Sequence, residues 1–223
     1  MKAREHILGK IQRALEVDPS HDAARRRAVA ERLQRHGRHT VPARGQLPDE
    51  ERIALFRRML EAVAGTTGRV TSRAEVPTAL AAHLEARGLP LRLRRGSDPR
   101  LEEMPWERAG ALEVATGPAE DGDTAGLVYA FAGIAETGTS VAVSGADNPT
   151  TLSFLPEEAI ILVDADTIAG DMETVLSALR TRYGTALPRT VNFITGPSRS
   201  ADIEQTLLLG AHGPRALHVL IVG

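Results

Sequence analysis

Apolar positions recur at helical spacing through the first third of the chain. Ile7, Leu8, Ile11, Ala14 and Leu15 mark one helix, and Pro19 and Ser20 break it. Residues 21–37 carry a thinner stripe of Ala24, Ala28 and Leu33, with Gly37 as a stop. Pro42, Gly45 and Pro48 define a loop. A third helix is expected over 49–64, with Ile53, Leu55, Phe56, Met59, Leu60 and Val63 on its buried face. Residues 1–65 therefore read as a helical N-terminal region that packs on the rest of the chain or on another subunit, and 66–223 as an α/β domain.

The pattern changes after residue 66. Short apolar runs at Arg69–Ser72, Leu89–Leu93, Ala111–Ala115, Leu127–Ala132, Ser140–Val143, Ala159–Asp164, Thr190–Thr195 and Leu217–Val222 predict strands. The run A-I-I-L-V-D at 159–164 has no polar interruption until its end, as a strand buried on both faces requires. Helices are expected at about 75–87, 171–182 and 199–209, and residues 96–110 are expected to be irregular. Alternating strands and helices imply a mostly parallel sheet covered on both faces. The segments 127–132 and 140–143 lie too close for a helical crossover and are expected to be antiparallel neighbours.

Composition narrows the chemistry. The 223 residues contain 27 Lys and Arg, 29 Asp and Glu, and no Cys. Absence of Cys excludes disulfides, a thiolate nucleophile, Cys-ligated zinc and an iron–sulfur cluster held by this chain's own side chains. It suits a reducing, cytoplasmic setting. No apolar run is long enough to span a membrane, and the charged N-terminus lacks the continuous apolar stretch of a signal peptide. The near-neutral charge gives no global drive toward nucleic acid. Residues 21–44 hold seven Arg, but no aromatic residue interleaves for base stacking, so the segment reads as a solvated face. The scattered His residues suggest no metal site.

Two segments have the makings of a site. In Gly133-Ile-Ala-Glu-Thr-Gly-Thr-Ser140, two glycines permit a tight turn between strands, and Glu136 stands at a strand end among small residues. It can serve as general base or nucleophile, or simply bond its own turn. In Thr195-Gly-Pro-Ser-Arg-Ser-Ala-Asp-Ile-Glu-Gln205, a strand runs through a turn into an expected helix. Unpaired N–H groups at that helix start would favour an anion, with Arg199 adding a charge-assisted bond. The bland alternative is that Ser198 or Ser200 caps the helix and its acids complement the dipole. His212 lies in a nearby Gly-Ala-His-Gly-Pro loop. Both segments follow strands, so Glu136 and the 196–199 turn are expected in one cleft. The Gly-Pro-Ser-Arg-Ser run departs from a nucleophile elbow at Ser200, and neither dinucleotide nor P-loop glycine motifs occur.

Glu136-Thr-Gly138, the run Thr195–Arg215 and Leu217-His-Val219 together resemble the LUD-domain family. The resemblance covers residues 68–223 well and the helical N-terminus more weakly. It implies a Rossmann-like three-layer α/β/α sandwich similar to the sugar-isomerase and CoA-transferase group. It also implies a part in oxidising L-lactate to pyruvate beside two iron–sulfur partner proteins that carry the clusters. This chain would then bind no cofactor and would offer a small-carboxylate or phosphate site from Glu136, Thr137, Gly138, Thr139, Gly196, Ser198, Arg199, Asp202, Gln205 and His212. One departure is Thr150-Thr151, where the family tends to place an arginine before its Ser-Leu-Leu-Pro. Whether the chain is itself an enzyme is left open. A stand-alone acyl- or CoA-transferase or sugar-phosphate-type enzyme using Glu136, and a non-catalytic interaction scaffold, are the alternatives.

Overall fold

The computed structural model describes residues 2–15, 21–201, 207–210 and 212–223. Two compact units result, residues 1–40 and 41–223. The first contains helices α1 (Lys2–Ala14) and α2 (Asp22–Arg35), whose apolar residues Ile7, Leu8, Ile11, Val29 and Leu33 are all exposed. The third expected helix is α3 (Asp49–Glu61), and it belongs to the second unit, burying Ile53, Leu55, Phe56 and Leu60.

The second unit continues with β1 (Thr66–Val70), α4 (Val76–Ala86), β2 (Arg92–Arg95), the short α5 (Pro99–Glu102), β3 (Glu113–Thr116), β4 (Ala125–Tyr129), β5 (Ala132–Ile134), β6 (Thr139–Val143), β7 (Glu158–Asp164), β8 (Ile168–Ala169), α6 (Met172–Tyr183), β9 (Val191–Ile194), β10 (Arg199–Ala201), β11 (Leu207–Leu209) and β12 (Ala216–Val222). Six strands form a parallel sheet in the order β1-β12-β7-β4-β2-β3. The arrangement is mixed α/β with a mostly parallel sheet, consistent with a three-layer sandwich.

Alternation along the central strands feeds two cores. Ile160, Leu162, Leu220 and Val222 face α4 residues such as Leu80 and Leu84. Ile161, Val163, Val219 and Ile221 face α3 through Phe56 and Leu60. A smaller mixed sheet, β8-β5-β6-β9, forms a third cluster with α6 through Ile134, Val141, Val175 and Leu179.

Two expectations need correction. The expected strand at 127–132 is two strands in different sheets, and only its second part, β5, pairs antiparallel with β6. The crossing is abrupt: the Ala130 N–H bonds Leu162 in the parallel sheet, and the next N–H, of Phe131, bonds Val141 in the mixed sheet, both at 2.7 Å. The helix expected over 199–209 is, in its described residues, an antiparallel pair of β10 and β11, with Arg199 opposite Leu209. Ala, Glu, Gln and Leu favour a helix locally. The ladder prevails because it is extended by the Gly210 N–H to Ser198 O at 3.0 Å, while the Ser198 N–H bonds Pro214 O at 2.9 Å.

Candidate functional site

The turn between β5 and β6 is shaped by its glycines. Gly138 adopts φ of +65°, and a Cβ there would lie 2.3 Å from the Leu60 backbone nitrogen of α3. This close approach draws Glu136 inside, where it is 6% exposed. Its Oε1 accepts the Met172 N–H at the start of α6 at 3.1 Å, while Oε2 is buried without a partner. The carboxylate thus complements a helix N-terminus. It lines none of the cavities described below.

β6 and β9 are antiparallel neighbours, which brings the two sequence-predicted segments together. Their link is a row of hydroxyls, Thr137 to Thr139 at 2.7 Å and Thr139 to Thr195 at 2.6 Å. Just beyond it, Gly196, Ser198, Arg199 and His212 share a cavity of about 330 Å3 with Thr195 and Phe154. Gly196 has φ of +83° and passes close to the Val63 carbonyl. Arg199 and His212 are exposed. The expectation that Glu136 and the 196–199 turn share one cleft does not hold for this cavity: the turn and His212 line it, whereas Glu136, bonded to the Met172 N–H, does not. Because residues 199–201 are extended, the anion site loses the helix N-terminus on which it was reasoned, and Arg199 is left as its charged group. Asp202 and Gln205 lie outside the described residues. Thr151, at the position of the expected family arginine, accepts the Ala119 N–H at 3.0 Å.

A further cluster, at the carboxyl ends of the parallel strands, escaped the sequence reading. β2 leads outward to β3, whereas β4 leads the other way to β7, so the connections part between β2 and β4. Ligands of open α/β sheets gather at such a point. A cavity of about 710 Å3 opens there, lined by Asp98 and Arg100 after β2, Tyr129 and Phe131 around the end of β4, Asn148, and Arg182 on α6. Asp98 accepts Arg100 Nε at 3.0 Å and Nη2 at 2.7 Å. The Arg100 guanidinium stacks 3.7 Å from the Tyr129 ring centre. Tyr129 donates to Asp164 at 2.5 Å. Burial, then Asp164, pushes the Tyr129 hydroxyl up to about 12. Burial works to raise the Asp98 carboxyl, but its bonds with Arg100 prevail and hold it below the usual range.

Near the amino ends of the strands lies a buried polar group of different character. His218 of β12 stacks on His83 of α4 at 3.8 Å, and its Nδ1 lies 2.9 Å from the Thr66 hydroxyl. His83 Nε2 is 2.8 Å from Glu158, a residue only 2% exposed that Arg87 also approaches. Burial, and next the neighbouring His83 and Arg87, push His218 down to about 3.

Residues 119–222 match the LUD domain family. Lactate utilization protein C of Anoxybacillus flavithermus is 38% identical over 97 residues, covering 43% of this chain and 43% of that protein. The Bacillus subtilis protein of the same name is 36% identical over 99 residues, covering 43% of this chain and 41% of that protein. The matched stretch thus spans less than half the length of these curated relatives. A crystal structure of a DUF162 family protein from Deinococcus radiodurans shares the fold with a TM-score of 0.59 and 24% identity, over 79% of this chain and 99% of that one.

Proposed function

We propose that this chain, whose residues 119–222 match the LUD domain family, acts in lactate utilisation as a cytoplasmic subunit that holds a small carboxylate while iron–sulfur partner proteins carry the electrons. The relatives named lactate utilization protein C support the pathway, and the absence of Cys suits a subunit that leaves the clusters to its partners. The observation that carries the site is the cavity gathering Ser198, Arg199 and His212 around the 196–199 turn. Arg199 supplies a bidentate, charge-assisted contact to the carboxylate. The Ser198 hydroxyl and the His212 ring add hydrogen bonds.

The test is Arg199→Ala in the system reconstituted with its partners, measuring melting temperature and lactate-dependent activity on the same variant. Losing a charged hydrogen bond of this kind lowers lactate affinity roughly ten- to a hundredfold. The melting temperature stays put, because Arg199 is exposed. Unchanged lactate dependence overturns the assignment of the anion site.

A further inference from the structure

The crevice between β2 and β4 is separate from the Arg199 cavity, and its unspent groups specify a ligand of their own. Of its four charged side chains, Asp98, Arg100, Asp147 and Arg182, the first two are engaged with each other. Arg100 is held by Asp98 and lies against Tyr129, which is itself bonded to Asp164. Asp147 lies against its own loop, its Oδ1 2.3 Å from the position a Cβ on Gly145 would take, and no ion pair engages it among the described residues. Arg182 is the cation of the lining that stays unpaired. It is exposed on the last turn of α6, it lines the cavity, and no ion pair engages it among the described residues.

Asn148 supplies a second, independent requirement. The residue is 7% exposed, and its Nδ2 donates to the Val143 carbonyl at 2.9 Å. That bond fixes which end of the carboxamide faces which way. The remaining end is Oδ1, a buried acceptor without a partner. Buried acceptors are normally satisfied, so a ligand here brings an N–H or O–H donor. The third feature is apolar. The rings of Phe131 and Tyr183, 6.1 Å apart and inclined by 45°, line the same cavity. They offer a surface for a planar group. At about 710 Å3 the space is roomier than a three-carbon acid requires and falls in the range that encloses cofactor-sized molecules.

We propose that this crevice binds a nucleoside monophosphate, its base lying against Phe131 and Tyr183, an N–H of the base donated to Asn148 Oδ1, and its phosphate held by Arg182. The framework of Asp98, Arg100, Tyr129 and Asp164 keeps the floor rigid.

Isothermal titration of the full chain tests this with AMP, adenosine, purine riboside monophosphate (which lacks the amino donor) and inorganic phosphate. AMP binds saturably. Adenosine and purine riboside monophosphate each bind roughly tenfold more weakly, because each lacks one specified contact. Inorganic phosphate alone does not displace AMP. Arg182→Ala lowers AMP affinity by roughly tenfold or more and leaves adenosine affinity unchanged, and Arg182→Lys recovers part of the loss. Because Arg182 is exposed, its variants keep the melting temperature of the parent chain. The proposal is overturned if AMP at millimolar concentration gives no saturable heat. It is equally overturned if Arg182→Ala binds AMP as tightly as the parent, or if the two monophosphates bind alike. None of these readouts depends on lactate oxidation.

Discussion

Acid should loosen this protein through His218 well before its carboxylates are protonated. Folded, His218 is 7% exposed, stacked on His83 and within reach of the Arg87 charge, so it stays neutral down to about pH 3. Unfolded, an imidazole titrates near 6.5. Between those values the unfolded chain binds the extra proton, so stability falls as pH falls. The contribution is fully present above pH 6.5 and is lost progressively toward pH 3. Fully developed, the slope is about 1.4 kcal/mol per pH unit, and integrating from pH 7 to pH 5 gives about 2 kcal/mol. That is a large share of a typical domain's net stability. Urea denaturation at the two pH values, on the parent and on His218→Gln, isolates the effect. Gln keeps a polar partner for Thr66 but cannot titrate. The parent should lose about 2 kcal/mol more than the variant between pH 7 and pH 5. An equal loss in both would refute the reasoning, because the proton would then be entering elsewhere.

Two further outcomes follow from packing. Gly138→Ala places a Cβ 2.3 Å from the Leu60 nitrogen in a left-handed backbone, so it should cost more than about 1–2 kcal/mol, read as a lowered urea midpoint. An unchanged midpoint would show that the turn relaxes freely. Deleting residues 1–40 should leave the melting temperature of the remainder essentially unchanged, because every buried apolar residue among those described lies at or beyond Ile53; a drop of many degrees on calorimetry would contradict that.

Much of the fold was legible because the signals were local. The uninterrupted apolar run of β7 announces a strand covered on both faces, and Gly88 after α4 and Asp171 before α6 mark helix ends within a few residues. What escaped depended on distant partners. Residues 199–209 carry good helix formers, and only the ladder with Gly210 and the clamp to Pro214 decide for a hairpin. No Gly or Pro punctuates Ala130-Phe131, so the passage between sheets left no mark. The site divides in the same way. Ser198, Arg199 and His212 were readable as near neighbours flanking one segment. Asp98, Tyr129, Asn148, Asp164 and Arg182 come from widely separated stretches, and only the crossover reversal at β2 and β4 brings them together. That Glu136 would turn toward α6 depended on a glycine contact with a helix some 75 residues earlier, which spacing cannot reveal.

The junction at Ala130 and Phe131 has a consequence for how the molecule breathes. Successive amides of one dipeptide are latched to two different sheets, one through Leu162 and the other through Val141. A fluctuation that frees the first amide requires the parallel sheet to part, and one that frees the second requires the mixed sheet to do so. The dipeptide is therefore a natural pair of clocks. If the two protons exchange with solvent at one rate, the sheets open as a single cooperative unit. If the Phe131 proton leaves sooner, the mixed sheet swings away while the parallel sheet stays shut, and the floor around Tyr129 would stay in place while the Phe131 wall moved.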